Sequence, residues 1–188
     1  RVRSSAASDV YKRQVTLFMF VDFNTISPGA NDNLTGTYAA VCALRMLDMA
    51  GVDFENTEVC AMITDGEEAG LRGCKSWAKN HYDEYVNSGV ETVVLCVDTL
   101  TDREYLRVYN KDMTGTVKNN QQFSQLVMNA SKDAGHDDIE LSSVFFGSSD
   151  AAAFSQAGIT ATCLAAMDPR PADYYHNRRD TADRLVPE

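Results

Sequence analysis

The residues of this chain best suited to chemistry are carboxylates in short polar segments, together with one histidine. Asp32 lies in GANDNLTG, Glu67 and Glu68 stand side by side in TDGEEAG, Asp98 ends VLCVD, and His176 ends DYYH. Asp22 and Asn24 close an apolar run at 15–23, and Asp150 sits in a serine-rich turn before AAAF. Singly, each has an ordinary structural use. Asp32 can cap a helix, the two glutamates can favour a helix dipole from its first turn, and Asp98 and His176 can sit in a turn and a loop. Gathered at one place, that much negative charge is unfavourable unless a cation compensates it. Hard carboxylates with one imidazole suit zinc, manganese or cobalt.

The elements that must bring these residues together alternate along the chain. Apolar, β-rich runs fall at 15–23, 57–63, 92–97, 105–109 and 159–164, with a weaker one at 142–146. Helical patterns fall at 34–49, 71–85, 121–134 and 151–156, and a fragment begins near Thr181. Such alternation predicts an α/β fold, a three-layer α/β/α arrangement with a mixed, mostly parallel central sheet. Ligands of open sheets of this kind gather beyond the C-terminal strand ends. Most of the candidate residues follow the predicted runs at that edge. Asp150 precedes a helical pattern and is expected either to orient a metal ligand or to cap that helix, whereas Asp180 is placed chiefly to cap the final helical fragment, with a role at the site as the alternative.

Composition narrows the partners. The 188 residues are 44% hydrophobic, enough for one sizeable core, and 27 acids against 17 Lys and Arg give a net charge of -10. That disfavours nucleic acid and anionic membrane surfaces. The most hydrophobic run, 15–23, is strand length and too short for a membrane span. Residues 1–14 hold four basic residues against one acid and show no apolar period. They are expected to be a foreign segment, with 15–188 a partial catalytic domain incomplete at both ends. The five cysteines, at 42, 60, 74, 96 and 163, sit mostly in apolar stretches without CxxC spacing. They are expected to be buried free thiols, a usage that favours the cytoplasm.

GANDNLTG, TDGEEAGLRGCKSWA, VDTL, SSDAAAFSQAGI and YYHNRRDTAD, in that order, resemble the co-catalytic zinc aminopeptidases of the twenty-eighth metallopeptidase family, of the leucyl and bacterial aminopeptidase kind. The likeness runs from about Thr16 to the end. It implies a zinc-exopeptidase fold, a peptide substrate trimmed from its N-terminus, and two zinc ions. It also implies roles: Asp32 bridges the ions, Glu67 is the general base, Glu68 binds one ion, and Asp98 and His176 bind the other. A water polarised by cations needs a nearby carboxylate to take its proton, so these roles are chemically coherent.

One position departs from the pattern. Where the family has a histidine in an H-x-D segment, this chain reads FMFVDFNTISPGANDN. Either Asp22 takes the histidine position as a metal ligand with Asn24 as its companion, or Phe20 takes it and Asp22 is the companion. His81, in the polar tail of a helical run, and His136, in a loop, are not replacements. The related glutaminyl cyclases, which work with one zinc, and a non-catalytic binding module with a degenerate metal site are the alternatives. Oligomeric state is not legible. If Asp22 holds the histidine position, Asp22→His is expected to shift metal choice toward zinc and to raise hydrolysis of amino-acyl anilides. Phe20→His is expected to do so if the other register holds. Metal preference measured for both variants decides between them.

Overall fold

The computed structural model describes residues 26–145, 147–168, 170 and 172–185. The expectations for 1–14, the strand at 15–23, Phe20, Asp22 and Asn24 lie outside the described residues.

Two runs of β-branched and small apolar residues form the centre of the sheet. β1 (Val93–Asp98) and β5 (Thr160–Ala166) pair in parallel, with Cys96 opposite Cys163 and Asp98 opposite Ala165. β2 (Leu106–Asp112) runs antiparallel to β5, is joined by a tight turn to β3 (Val117–Lys118), and also pairs in parallel with β4 (Leu141–Ser143). Among the described residues this gives a five-stranded mixed sheet of order β1-β5-β2-β3, with β4 on β2. Because β5 is flanked on both sides, its residues Ala161, Cys163, Ala165 and Ala166 are buried.

The helices arise where apolar residues recur at helical spacing. α1 spans Gly36–Met49, α2 Arg72–Tyr85, α3 Gln121–Asp133 and α4 Asp150–Gln156. Leu71, Cys74 and Ala78 pack with Ala151, Ala152, Ala153 and Phe154 against one face of the sheet. The alanines of α4 let this short helix lie close to the strands beneath it. On the other face, Val127 of α3 packs on Val108 and Ile139. α3 starts where the Asn120 side chain accepts the Phe123 N–H at 2.9 Å, a standard cap.

Several elements differ from the sequence expectation. The run at 57–63 forms no strand, and Val59 and Ile63 are exposed. β-rich residues become a strand only when another strand offers ladder partners, and among the described residues none reaches this run. The helix expected from 34 begins at Gly36, because residues 30–35 form an irregular turn. β3 is too short to signal itself in the sequence. All five cysteines are free, as expected, but Cys42 and Cys60 are exposed rather than buried.

Gly36 marks where α1 meets the end of β1. A Cβ there would lie 2.2 Å from the Val97 carbonyl oxygen and 2.4 Å from the Asn33 side-chain oxygen. Backbone cannot yield as a flexible side chain can. Gly36→Ala is therefore expected to lower stability by about 1–3 kcal/mol or more, as overpacking does. Urea denaturation of the two proteins checks this.

Candidate metal centre

The turn at 29–36 is built from the residues that puzzle a reader of the sequence. Gly29, in the left-handed region at φ 69°, opens it. Asn31 is buried, and its side-chain oxygen accepts from the Thr101 N–H at 3.2 Å and the Thr101 hydroxyl at 2.8 Å. Asn33 donates to the Val97 carbonyl at 3.0 Å and accepts from the Thr99 N–H at 3.2 Å. The two asparagines thus clamp the turn to the chain on either side of Asp98. Asp32, between them, is free to present its carboxylate outward.

Glu67 and Glu68 stand in a second tight turn. The Glu67 carbonyl accepts from the Gly70 and Leu71 N–H groups at 2.9 and 2.8 Å, and Gly66 and Asp65 accept from Arg72 and Gly73. Leu71, buried and at φ 59°, plugs this turn into the core. The loop after β5 brings His176, also left-handed at φ 55°, with its ring stacked on Tyr175 at 3.7 Å between centroids.

These turns converge. His176 Nε2 lies 3.2 Å from Asp32 Oδ2 and 2.9 Å from Glu68 Oε1. One donor atom from each of Asp32, Glu68 and His176 falls within 4.8 Å of the others. This grouping differs from the division implied by the family likeness, in which Glu68 and His176 serve different ions. Asp98 lies outside the three-donor group, though near enough for its charge and that of Asp32 to interact. Its carboxylate accepts from the Thr99 hydroxyl at 2.9 Å.

Asp150 is the first residue of α4, and Ser149 holds the cap position. One Asp150 oxygen accepts from the Thr64 hydroxyl at 3.1 Å, and the other is buried with no hydrogen-bond partner among the described residues. His81 stacks on Trp77 and bonds its carbonyl, and His136 sits beyond α3, so neither joins the cluster.

Sequence reasoning gave Asp180 chiefly a helix-capping use, and the structure corrects this. Thr181, not Asp180, precedes the short 3-10 turn Ala182–Arg184. The buried Asp180 carboxylate instead accepts from the backbone N–H groups of Asn31 at 2.7 Å and Asp32 at 3.0 Å. No local signal marks this, since the partners are 149 and 148 residues away.

The electrostatics fit a cation. Burial pushes the Glu67 carboxyl up to about 8, and the carboxylates of Asp98, Glu68, Asp150 and Asp32 add to the rise. Burial and then Asp32 raise Asp98 to about 7. Hydrogen bonds to Asp32 and Glu68 raise His176 to about 10, and the His176 bond holds Glu68 below its ordinary value. The raised Glu67 and Asp98 carboxyls and the raised His176 mark a strongly negative local field. Two carboxylates and an imidazole converging from three loops are a donor set that a divalent metal fits.

The fold is similar to that of several solved structures. A zinc aminopeptidase from Bacillus subtilis matches with a TM-score of 0.64 and 24% identity, over 85% of this chain and 38% of that one. The LapA aminopeptidase of Legionella pneumophila matches with a TM-score of 0.66 and 19% identity, over 88% of this chain and 43% of that one. A glutaminyl cyclase from an Acidobacteriales bacterium matches with a TM-score of 0.57 and 18% identity, over 84% of this chain and 56% of that one. The chain therefore spans less than half the length of either aminopeptidase. No curated protein sequence is significantly similar to it. The model of peptidase family M28 matches residues 6–188, and the chain belongs to that family.

The charge pattern has a consequence for stability without metal. Glu67 and Asp98 have ordinary values of 4.5 and 3.8, and folding raises both. Their contribution to stability is complete below those ordinary values and is lost as pH rises through about 8 and about 7. His176 acts with the same sign between 6.5 and about 10, whereas Glu68 acts oppositely, losing its contribution in acid. With chelator present, the urea midpoint is expected to fall from about pH 5 to about pH 9. Glu67→Gln should flatten the part of that fall below about pH 8.

Proposed function

We propose that this chain carries the catalytic centre of a metal-dependent aminopeptidase that removes N-terminal residues from peptides. The observation that supports this most is the convergence of Asp32, Glu68 and His176 with Glu67 adjacent in the same turn. In this reading Asp32 is a bridging ligand, Glu68 and His176 are further ligands, and Asp98 completes a second zinc site. Zinc bound there would act as a Lewis acid toward the scissile carbonyl and toward water.

The chain's own residues supply the proton chemistry. Glu67 is half-buried, and its carboxyl, pushed up to about 8, can both take and release a proton near neutral pH. That suits a group that accepts a proton from the attacking water and passes it to the leaving amine. Its turn is pinned by the buried Leu71 and by backbone bonds, which fixes where the Glu67 side chain leaves the main chain. The stacked Tyr175 ring restricts His176.

A second reading, a one-zinc enzyme of the glutaminyl-cyclase kind, is supported by the single three-donor group among the described residues. Zinc stoichiometry separates the readings: two ions per chain support the aminopeptidase, one supports the cyclase-like enzyme, and none opposes both. Glu67→Gln is expected to keep zinc while lowering turnover of amino-acyl anilides by roughly 10²–10⁴-fold. Glu68→Ala is expected to lose zinc, and Asp32→Ala to lose the most. Calorimetry on the three variants measures this, and equal zinc loss for Glu67→Gln and Glu68→Ala would overturn their division of roles.

A further inference from the structure

We infer that Asp180 is a positioning residue that sets the aim of the Asp32 carboxylate, an inference that rests on the metal-binding reading above. Its carboxylate is 2% exposed and accepts from two consecutive backbone N–H groups, those of Asn31 and Asp32. The Asp180 carbonyl accepts a third, from Ala30 at 3.2 Å. Asn31 adds a fourth tie by donating its side-chain N–H to the Tyr174 hydroxyl at 3.0 Å, and that hydroxyl donates to Asp102. The stretch holding His176 is thereby fastened at both ends to the turn holding Asp32.

This arrangement has chemical consequences. Consecutive N–H groups pointing at one carboxylate fix the Asp32 backbone on one side, which turns the Asp32 side chain to the other, toward His176. A buried carboxylate with charge-assisted bonds is the strong form of such a clamp. A neutral amide there would place an NH2 group against one of the two backbone donors, and that bond would be lost. Positioning groups behind a metal ligand typically govern affinity rather than fold.

Asp112 provides the comparison. It is equally buried and accepts from Ser149 N–H at 3.0 Å, from the Ser149 hydroxyl at 2.6 Å and from Met113 N–H at 2.8 Å, but it touches no member of the three-donor group. Titration of the full chain with zinc should show Asp180→Asn weakening binding roughly 10- to 100-fold, with Asp112→Asn far closer to the unaltered chain. Cobalt in place of zinc should show a changed visible spectrum in Asp180→Asn, reporting altered ligand geometry at the ion. Equal weakening by the two variants, or affinity within about two-fold of the unaltered chain for Asp180→Asn, would overturn the inference.

Amide hydrogen exchange keeps the test independent of metal and of variant folding. In the unaltered chain the Asn31 and Asp32 amides should be protected. In Asp180→Asn, protection should fall at 30–35 and 172–178 while α3 and β5 keep theirs. Free exchange of those two amides in the unaltered, folded chain would overturn the inference even if the variant failed to fold. If the unaltered chain bound no zinc, the metal-binding reading would fail, and the exchange pattern alone would still judge whether Asp180 holds the turn.

Discussion

Crowding of acidic side chains around one histidine is the constraint that the rest of this structure answers to. Glu67 feels the charges of Asp98, Glu68, Asp150 and Asp32 together, in a place where burial already disfavours ionisation. A chain gains nothing in stability from such an arrangement, since like charges brought out of water repel strongly. It persists because the turns bearing these side chains are over-determined by bonds that do not involve the carboxylates themselves.

Those bonds are mostly from polar side chains to distant backbone. Asn31 and Asn33 tie the Asp32 turn to the connection after β1, and Asp180 ties it to the segment of His176. The cost of holding the geometry appears in the backbone. His176 and Thr99, next to Asp98, adopt left-handed conformations, as does Leu71 at the end of the Glu67–Glu68 turn; Met113 and Thr114, in the turn between β2 and β3, do so as well. Such conformations are uncommon and gather where surrounding contacts enforce them.

The same geometry bears on how many ions the site serves. His176 contacts both Asp32 and Glu68, and Asp98, the last residue of β1, falls outside that three-donor group although its charge reaches Asp32. What distinguishes the readings is whether Asp98 joins the bound state, which depends on the charge it carries.

Much of this was legible in residue order. The α/β alternation followed from periodicity, and β1, β5, α1, α2, α3 and α4 lie close to where their patterns place them; α2, α3 and α4 bury one face on the sheet, whereas Gly36 is the buried residue of α1. Of the site segments expected from the sequence, those of Asp32, Glu68 and His176 meet in the fold. The run at 57–63 has strand composition, but no strand among the described residues pairs with it and it forms none. Asp180 was undecidable, because its partners lie across the whole length of the chain and only folding brings them near. The sequence by itself determined which residue types reach the site and on which elements. Only the tertiary structure decided that His176 meets Asp32 and Glu68, that Asp98 falls outside that three-donor group, and that the buried Asp180 carboxylate accepts from the Asn31 and Asp32 backbone, because each of these depends on distances between loops that no local pattern encodes.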